Sequence, residues 1–264
     1  MLAAALLMTV LPSVSPAPAD DDGVQREDGW PAEVKVGSHA ADDGKEYGYL
    51  WIEPPTIEVG KRYPLIVFLH GAGERGDDPR VLLKHFFPPM LSDEYRRRFP
   101  CFILAPQCPT DGRWANKDWR APENADGSMA APMKAASELL RQKLKANLID
   151  DTRLYLTGLS MGGYGTWDWA ARQPELWAAA APICGGGDPK TADRLKDLPL
   201  WVAHGDADPT VSVKLSREMV AAVSAAGGSP IYVEYPGVDH FSWTPAYGTP
   251  DGLPAWLFRQ RKGE

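Results

Sequence analysis

Short unbroken apolar runs punctuate the chain. Pro64–Leu69, "PLIVFL", and Cys101–Ala105, "CFILA", suit strands buried on both faces. Val34–Val36 and Tyr47–Ile52 read as earlier strands, parted by the turn-rich "HAADDGK". Leu154–Thr157, Ala178–Ile183, Leu198–Ala203 and Ile231–Tyr235 predict four more. Between them the apolar period lengthens. Ala136, Leu139, Leu140, Leu144 and Leu148 fall close to helical spacing, which predicts a helix over Met133–Asn147. Met161–Arg172 reads as a second helix, ending where Gln173 meets Pro174. Val211–Ala226 is a third, stopped by Gly227 and Gly228, and Leu253–Arg259 closes the series. Strands alternate with helices from about residue 64 onward. The pattern predicts an α/β fold with a mostly parallel central sheet and helices on both faces. Function in such sheets gathers at the carboxyl ends of the strands.

Composition narrows the picture. With 264 residues the chain can form one large domain, expected over residues 30–264. Leu2–Leu11 has the length of a signal-peptide apolar region, and Ala17-Pro18-Ala19 supplies small residues for cleavage. Residues 1–19 are therefore expected to be a signal peptide and 20–29 a flexible acidic leader, in a secreted or periplasmic protein. No other segment predicts a membrane span. The net charge of −7 argues against a nucleic-acid partner, since phosphate binding wants a basic surface. Cys101, Cys108 and Cys184 show neither metal-site nor disulfide-framework spacing and are expected as buried thiols.

The chemistry centres on "YLTGLSMGGYGTWDWAARQPE", Tyr155–Glu175. Gly158-Leu159-Ser160-Met161-Gly162 fits the G-x-S-x-G turn, with a strand before it and a helix after. Such a turn lifts a serine oxygen above the sheet edge. It also leaves the Met161 N–H at a helix N-terminus, where negative charge is stabilised. A serine hydroxyl needs a base. Of five histidines, only His240 follows the last strand, in "YPGVDHFSW". His70 and His204 end strands before glycines and read as structural, while His39 and His85 have no supporting context. The base in turn needs a carboxylate to orient it. "HGDADPTV" offers Asp206 and Asp208, of which Asp208 is favoured, with Asp239 a weaker rival. In "LHGAGERGDD" the Ala72 N–H is the best second donor for an oxyanion, with Gly73 close behind.

Six stretches carry a family resemblance: "YPLIVFLHGAGERGDD", "APQCP", "LYLTGLSMGGYGTWDWAARQPELWAAAAPICGGGD", "WVAHGDADPTVSV", "SREMVAAV" and "EYPGVDHFSWTPAY". Together they span roughly residues 62 to 247. The chain resembles the α/β-hydrolase superfamily. More narrowly, it resembles bacterial secreted carboxylesterases often labelled "predicted peptidases", which are similar to phospholipase/carboxylesterases and to feruloyl and polyhydroxybutyrate esterases. The resemblance implies Ser160 as nucleophile, His240 as base and Asp208 as acid. It also implies Ala72 and Met161 as oxyanion donors, and neither metal nor organic cofactor. Gly185–Asp197 is too short for a lid domain. Trp114 and Trp119, in the long loop Pro106–Pro132, and Trp243, after the histidine, are candidates for contact with substrate. The expected activity is hydrolysis of short acyl or aryl esters, with polysaccharide-linked esters a candidate source. A serine peptidase and a silent carbohydrate-binding protein are the alternatives.

Overall fold

The computed structural model describes residues 33–116, 127–146 and 148–263. The expected signal peptide, the leader, the domain start at Trp30 and Trp119 lie outside these residues.

β1 (Val34–Ala40) and β2 (Glu46–Ile52) form an antiparallel pair. β2 also runs antiparallel to β4 (Phe102–Pro106), which lies parallel to β3 (Tyr63–Leu69). β5 (Ile149–Leu159), β6 (Ala179–Ile183), β7 (Trp201–Gly205) and β8 (Ile231–Tyr235) continue the sheet in parallel. The order is β1-β2-β4-β3-β5-β6-β7-β8. Every residue of β3 is buried, as its unbroken apolar run requires.

Alternate strand residues feed two cores. Leu65, Val67 and Leu69 meet α3 (Ala131–Lys143), α4 (Met161–Arg172) and α5 (Val213–Ala225) on one face. Ile66 and Phe68 meet α1 (Phe87–Met90), α2 (Asp93–Arg98), α6 (Trp243–Gly248) and α7 (Leu253–Arg259) on the other. Helices therefore cover both faces. No helix of the described residues is long and apolar enough to cross a membrane. Between β6 and β7 the chain makes only a 3-10 turn, Pro189–Arg194, so no lid domain stands there.

Three local features depart from the sequence pattern. β5 starts at Ile149 rather than Leu154, through the polar Asp150–Arg153. Asp150 keeps that stretch extended by accepting from the Thr152 N–H at 3.1 Å and from Arg153 Nε at 2.7 Å. β7 starts at Trp201 rather than Leu198, because Pro199 has no N–H to give a ladder. α1, α2 and α6 are four to six residues long, too short to display a helical period.

Candidate active site

Ser160 sits where β5 turns into α4, with φ 53° and ψ −117°. That backbone is strained for a residue with a Cβ, and the surrounding contacts hold it there. The Ser160 N–H donates to Ile183 O at 3.0 Å, and the Tyr164 N–H donates to Ser160 O at 3.1 Å. Gly158 and Gly162 allow the close approach this turn needs. A Cβ on Gly158 would stand 2.6 Å from both Gly162 O and Leu69 O, and one on Gly162 only 1.8 Å from Leu69 O.

The turn aims the serine at His240. Ser160 Oγ lies 2.9 Å from His240 Nε2, and His240 Nδ1 lies 2.7 Å from Asp208 Oδ2. The structure thus brings the three expected residues into one hydrogen-bonded line. The Asp208 side chain is fully buried, and that of His240 is 15% exposed. Asp208 is held from both oxygens. Its Oδ1 accepts from the Thr210 N–H (2.8 Å) and the Val211 N–H (2.9 Å), so its own turn fixes its rotamer. The rival carboxylates are engaged elsewhere. Asp206 accepts from the Gly237 N–H at 2.6 Å, pinning the histidine loop, and Asp239 accepts from the Phe241 N–H at 2.9 Å.

His204 joins this line from below. Its Nε2 is 3.2 Å from Asp208 Oδ2 and 3.0 Å from Val211 O, and both are acceptors, so the ring proton belongs on Nε2. Its Nδ1 lies 2.7 Å from the Ser216 hydroxyl. Burial lowers the His204 pKa, which keeps the ring a neutral brace for the carboxylate. The sequence marks His204 only as a strand-tip histidine.

Three carbonyls of the Gly71–Glu74 loop are tied back into the protein. His70 accepts the Cys108 N–H at Nε2 (2.9 Å), so Nδ1 carries the proton and donates it to Gly71 O at 2.7 Å. Arg75 Nε donates to Ala72 O at 3.0 Å, and Gln107 Nε2 donates to Glu74 O at 3.3 Å. Ala72 opens a 3-10 turn on the cleft wall, and Met161 follows Ser160 at the first position of α4. An N–H at that helical position has no intrahelical acceptor. Gln107 carries no sequence signal for this role, since its bond crosses between segments, whereas the Arg75 bond spans only three residues.

Burial pushes the His70 pKa down to about 4. An unfolded histidine titrates near 6.5, so the unfolded chain takes up this proton first as the pH falls. The stability from neutral His70 is complete above about pH 6.5 and is lost toward pH 4. Urea unfolding at pH 7 and pH 4.5 should show it. Wild type is expected to lose on the order of 2 kcal/mol more between the two than His70→Asn does. Equal losses in the two proteins would show that His70 carries no such proton linkage.

Above Ser160 opens a cleft of about 1050 Å³. One wall is Ala72, Glu74, His85, Phe241 and Trp243. The other includes Tyr164, Val211, Leu215, Lys214 and Glu218. Trp243 stands with its ring 5.2 Å from that of His240, and Phe241 is 52% exposed at the rim. Trp114 departs from expectation. It is fully buried, packs against Gly165 and donates its indole N–H to His70 O at 3.0 Å, so it braces the site from the core and does not line the cleft. Its loop is long, but the tryptophan folds inward onto α4. Glu74 and His85, which the sequence left without a role, do line the cleft.

Among the described residues, Cys184, Asp208 and His240 bring ligand-type atoms within 4.8 Å of one another. The donor chemistry does not fit a metal. Burial pushes the Cys184 thiol up to about 12, and metals bind the thiolate. Asp208 and His240 already satisfy each other at 2.7 Å.

No protein-family model matches the chain. It is 24% identical to acyl-protein thioesterase 1 of Neurospora crassa over 213 residues, which is 71% of this chain and 84% of that protein. It superposes on a thermostable esterase with a TM-score of 0.80 and 39% identity, over 87% of this chain and 64% of that one. The acylaminoacyl peptidase of Pyrococcus horikoshii shares the fold, with a TM-score of 0.60 at 16% identity, over 88% of this chain and 42% of that one. In this chain the sheet order sets the serine turn after β5 and the loops after β7 and β8 around one cleft. Of these three proteins the thermostable esterase has the highest identity, and the chain has the α/β-hydrolase fold and is similar to esterases that share it.

Proposed function

We propose that the protein is a serine carboxylic-ester hydrolase. It works through a covalent acyl-enzyme on short acyl or aryl esters, polysaccharide-linked ones among them. The observation that carries this reading is the line Ser160 Oγ, His240 Nε2, His240 Nδ1, Asp208 Oδ2, with links of 2.9 and 2.7 Å at the base of an open cleft.

In this reading His240 Nε2 takes the Ser160 proton as Oγ attacks the ester carbonyl carbon. Asp208 holds the Nδ1 proton and stabilises the imidazolium that forms. The N–H groups of Ala72 and Met161 take up the oxyanion. His240 then gives its proton to the departing alcohol and activates water against the acyl-enzyme. Tyr164, Val211 and Leu215 offer an apolar wall for a short acyl chain. The absence of a lid domain between β6 and β7 supports substrates met in solution over ones that require an interface.

Comparing kcat/KM for p-nitrophenyl acetate, butyrate and decanoate with that for a peptidyl p-nitroanilide tests the reading. Butyrate is expected to be the best of the four. A peptidyl anilide turned over faster than every ester would move the assignment to a peptidase. No turnover of any of them would leave a silent binding protein.

A further inference from the structure

A second polar pair faces the cleft beside the serine. Glu74 is 8% exposed, and its carboxylate lies against the Gly71 backbone. A Cβ on Gly71 would stand 2.9 Å from Glu74 Oε2 and 3.7 Å from Ser160 Cβ, which puts this carboxylate within a side chain's reach of the nucleophile. Glu74 Oε1 is 3.4 Å from His85 Nε2. Burial alone would raise the Glu74 pKa. The facing His85 and the nearby His70 more than offset it and hold the pKa below the ordinary value, so the group is ionised.

His85 holds a left-handed backbone, φ 56°, at a position occupied by neither glycine nor asparagine. Such a conformation is uncommon for a residue with a Cβ and persists where surrounding contacts hold it. The His85 ring lies 5.0 Å from the Trp243 ring, and Trp243 lies 5.2 Å from His240. The wall therefore runs His240, Trp243, His85, Glu74. His240 delivers its proton to the leaving alcohol, so the alcohol half of an ester lies along this wall.

The chemistry of the wall selects that alcohol. The gap of 3.4 Å between Oε1 and Nε2 exceeds a good hydrogen bond. A hydroxyl can lie against both, donating to the carboxylate and accepting from the imidazole N–H. An ammonium can use only the carboxylate and would meet the imidazole N–H head on. An alkyl group would strip water from the carboxylate and return nothing. The exposed Phe241, packed 4.9 Å from the nearly buried Trp243 ring, adds apolar surface beside the pair, suited to the C–H face of a polyol. We propose that Glu74 and His85 form an alcohol-side subsite that selects esters of polyhydroxy alcohols, of glycerol or sugar type. This inference rests on the ester-hydrolase reading and names the alcohol that reading leaves open.

The test uses the full chain, Glu74→Gln and His85→Asn, the latter because asparagine tolerates a left-handed backbone. Each is assayed on monobutyrin, p-nitrophenyl butyrate and butyrylcholine, after matched melting curves. The ratio of kcat/KM for monobutyrin to that for p-nitrophenyl butyrate is expected to fall by at least about tenfold in both variants. A ratio unchanged within about twofold, even with both rates reduced, would show that Glu74 and His85 merely brace the Gly71 loop and would overturn the subsite. Wild-type preference for butyrylcholine over monobutyrin would overturn hydroxyl selection in favour of a cation. If wild type hydrolyses none of the three, the esterase reading itself fails and the subsite falls with it.

Discussion

Ser160→Ala is expected to melt as wild type does and to lose ester hydrolysis by a factor on the order of 10⁴ to 10⁶. The substitution removes one oxygen, and alanine fills the same strained φ of 53° with the same Cβ. What disappears is the attacking oxygen whose proton His240 Nε2 takes, the Oγ at 2.9 Å. His240→Ala should cost about as much, and the double variant little more, because the line acts as a unit. Initial rates on p-nitrophenyl butyrate, with circular dichroism melts of both proteins, decide the matter. A Ser160→Ala rate within about tenfold of wild type would mean that esters are cleaved by another group, and the proposed chemistry would fall.

Gly162→Ala is expected to cost far more stability than one methyl group suggests. The added Cβ would stand 1.8 Å from Leu69 O, 2.5 Å from Leu69 C and 2.9 Å from His70 O. All three are backbone atoms at the carboxyl end of β3, so no side chain can swing away. Either α4 lifts from the sheet or β3 is displaced, and both are packed core elements. A cost of at least about 3 kcal/mol is expected, at the upper end for overpacking, which lowers Tm by roughly 6 °C or more in a domain of this size. The fraction that still folds should also be slow, because Met161 and Ala72 sit on the two segments forced apart. Gly248→Ala is the matched control, since a Cβ there meets nothing within 4 Å. A Gly162→Ala melt within about 1 °C of Gly248→Ala would refute this account of the elbow.

The two predictions draw on different sources. The run of G-x-S-x-G between a strand and a helix is local chemistry, and the sequence shows it without help. The collision between Gly162 and Leu69 is not local, because more than ninety positions separate the two atoms along the chain. The same division holds across the site. Ser160, Asp208 and His240 were legible because each follows a strand that announces itself by apolar content. The sequence favours Asp208 over Asp206, and the contacts give the physical reason. The structure shows one carboxylate on His240 and the other on the Gly237 N–H.

Trp114 and His85 mark the other side of that line. Both sit in segments whose residue types are uninformative about direction. A long loop with a tryptophan reads equally as a cleft wall or as packing. The structure chose packing, with the indole over Gly165 and bonded to His70 O. His85 follows Val81-Leu82-Leu83-Lys84, too short a run to show a period, and the structure sets its ring 5.0 Å from that of Trp243. The sequence by itself determined the parallel sheet, its two buried faces, the strained serine and the order of the reacting groups. Those rest on apolar periodicity and on glycine sterics, which act between near neighbours. The tertiary structure alone decided which side chains face the cleft, which histidine braces the acid and which carboxylate stands beside the nucleophile. Those depend on how distant segments cross, and no local pattern of residues encodes a crossing.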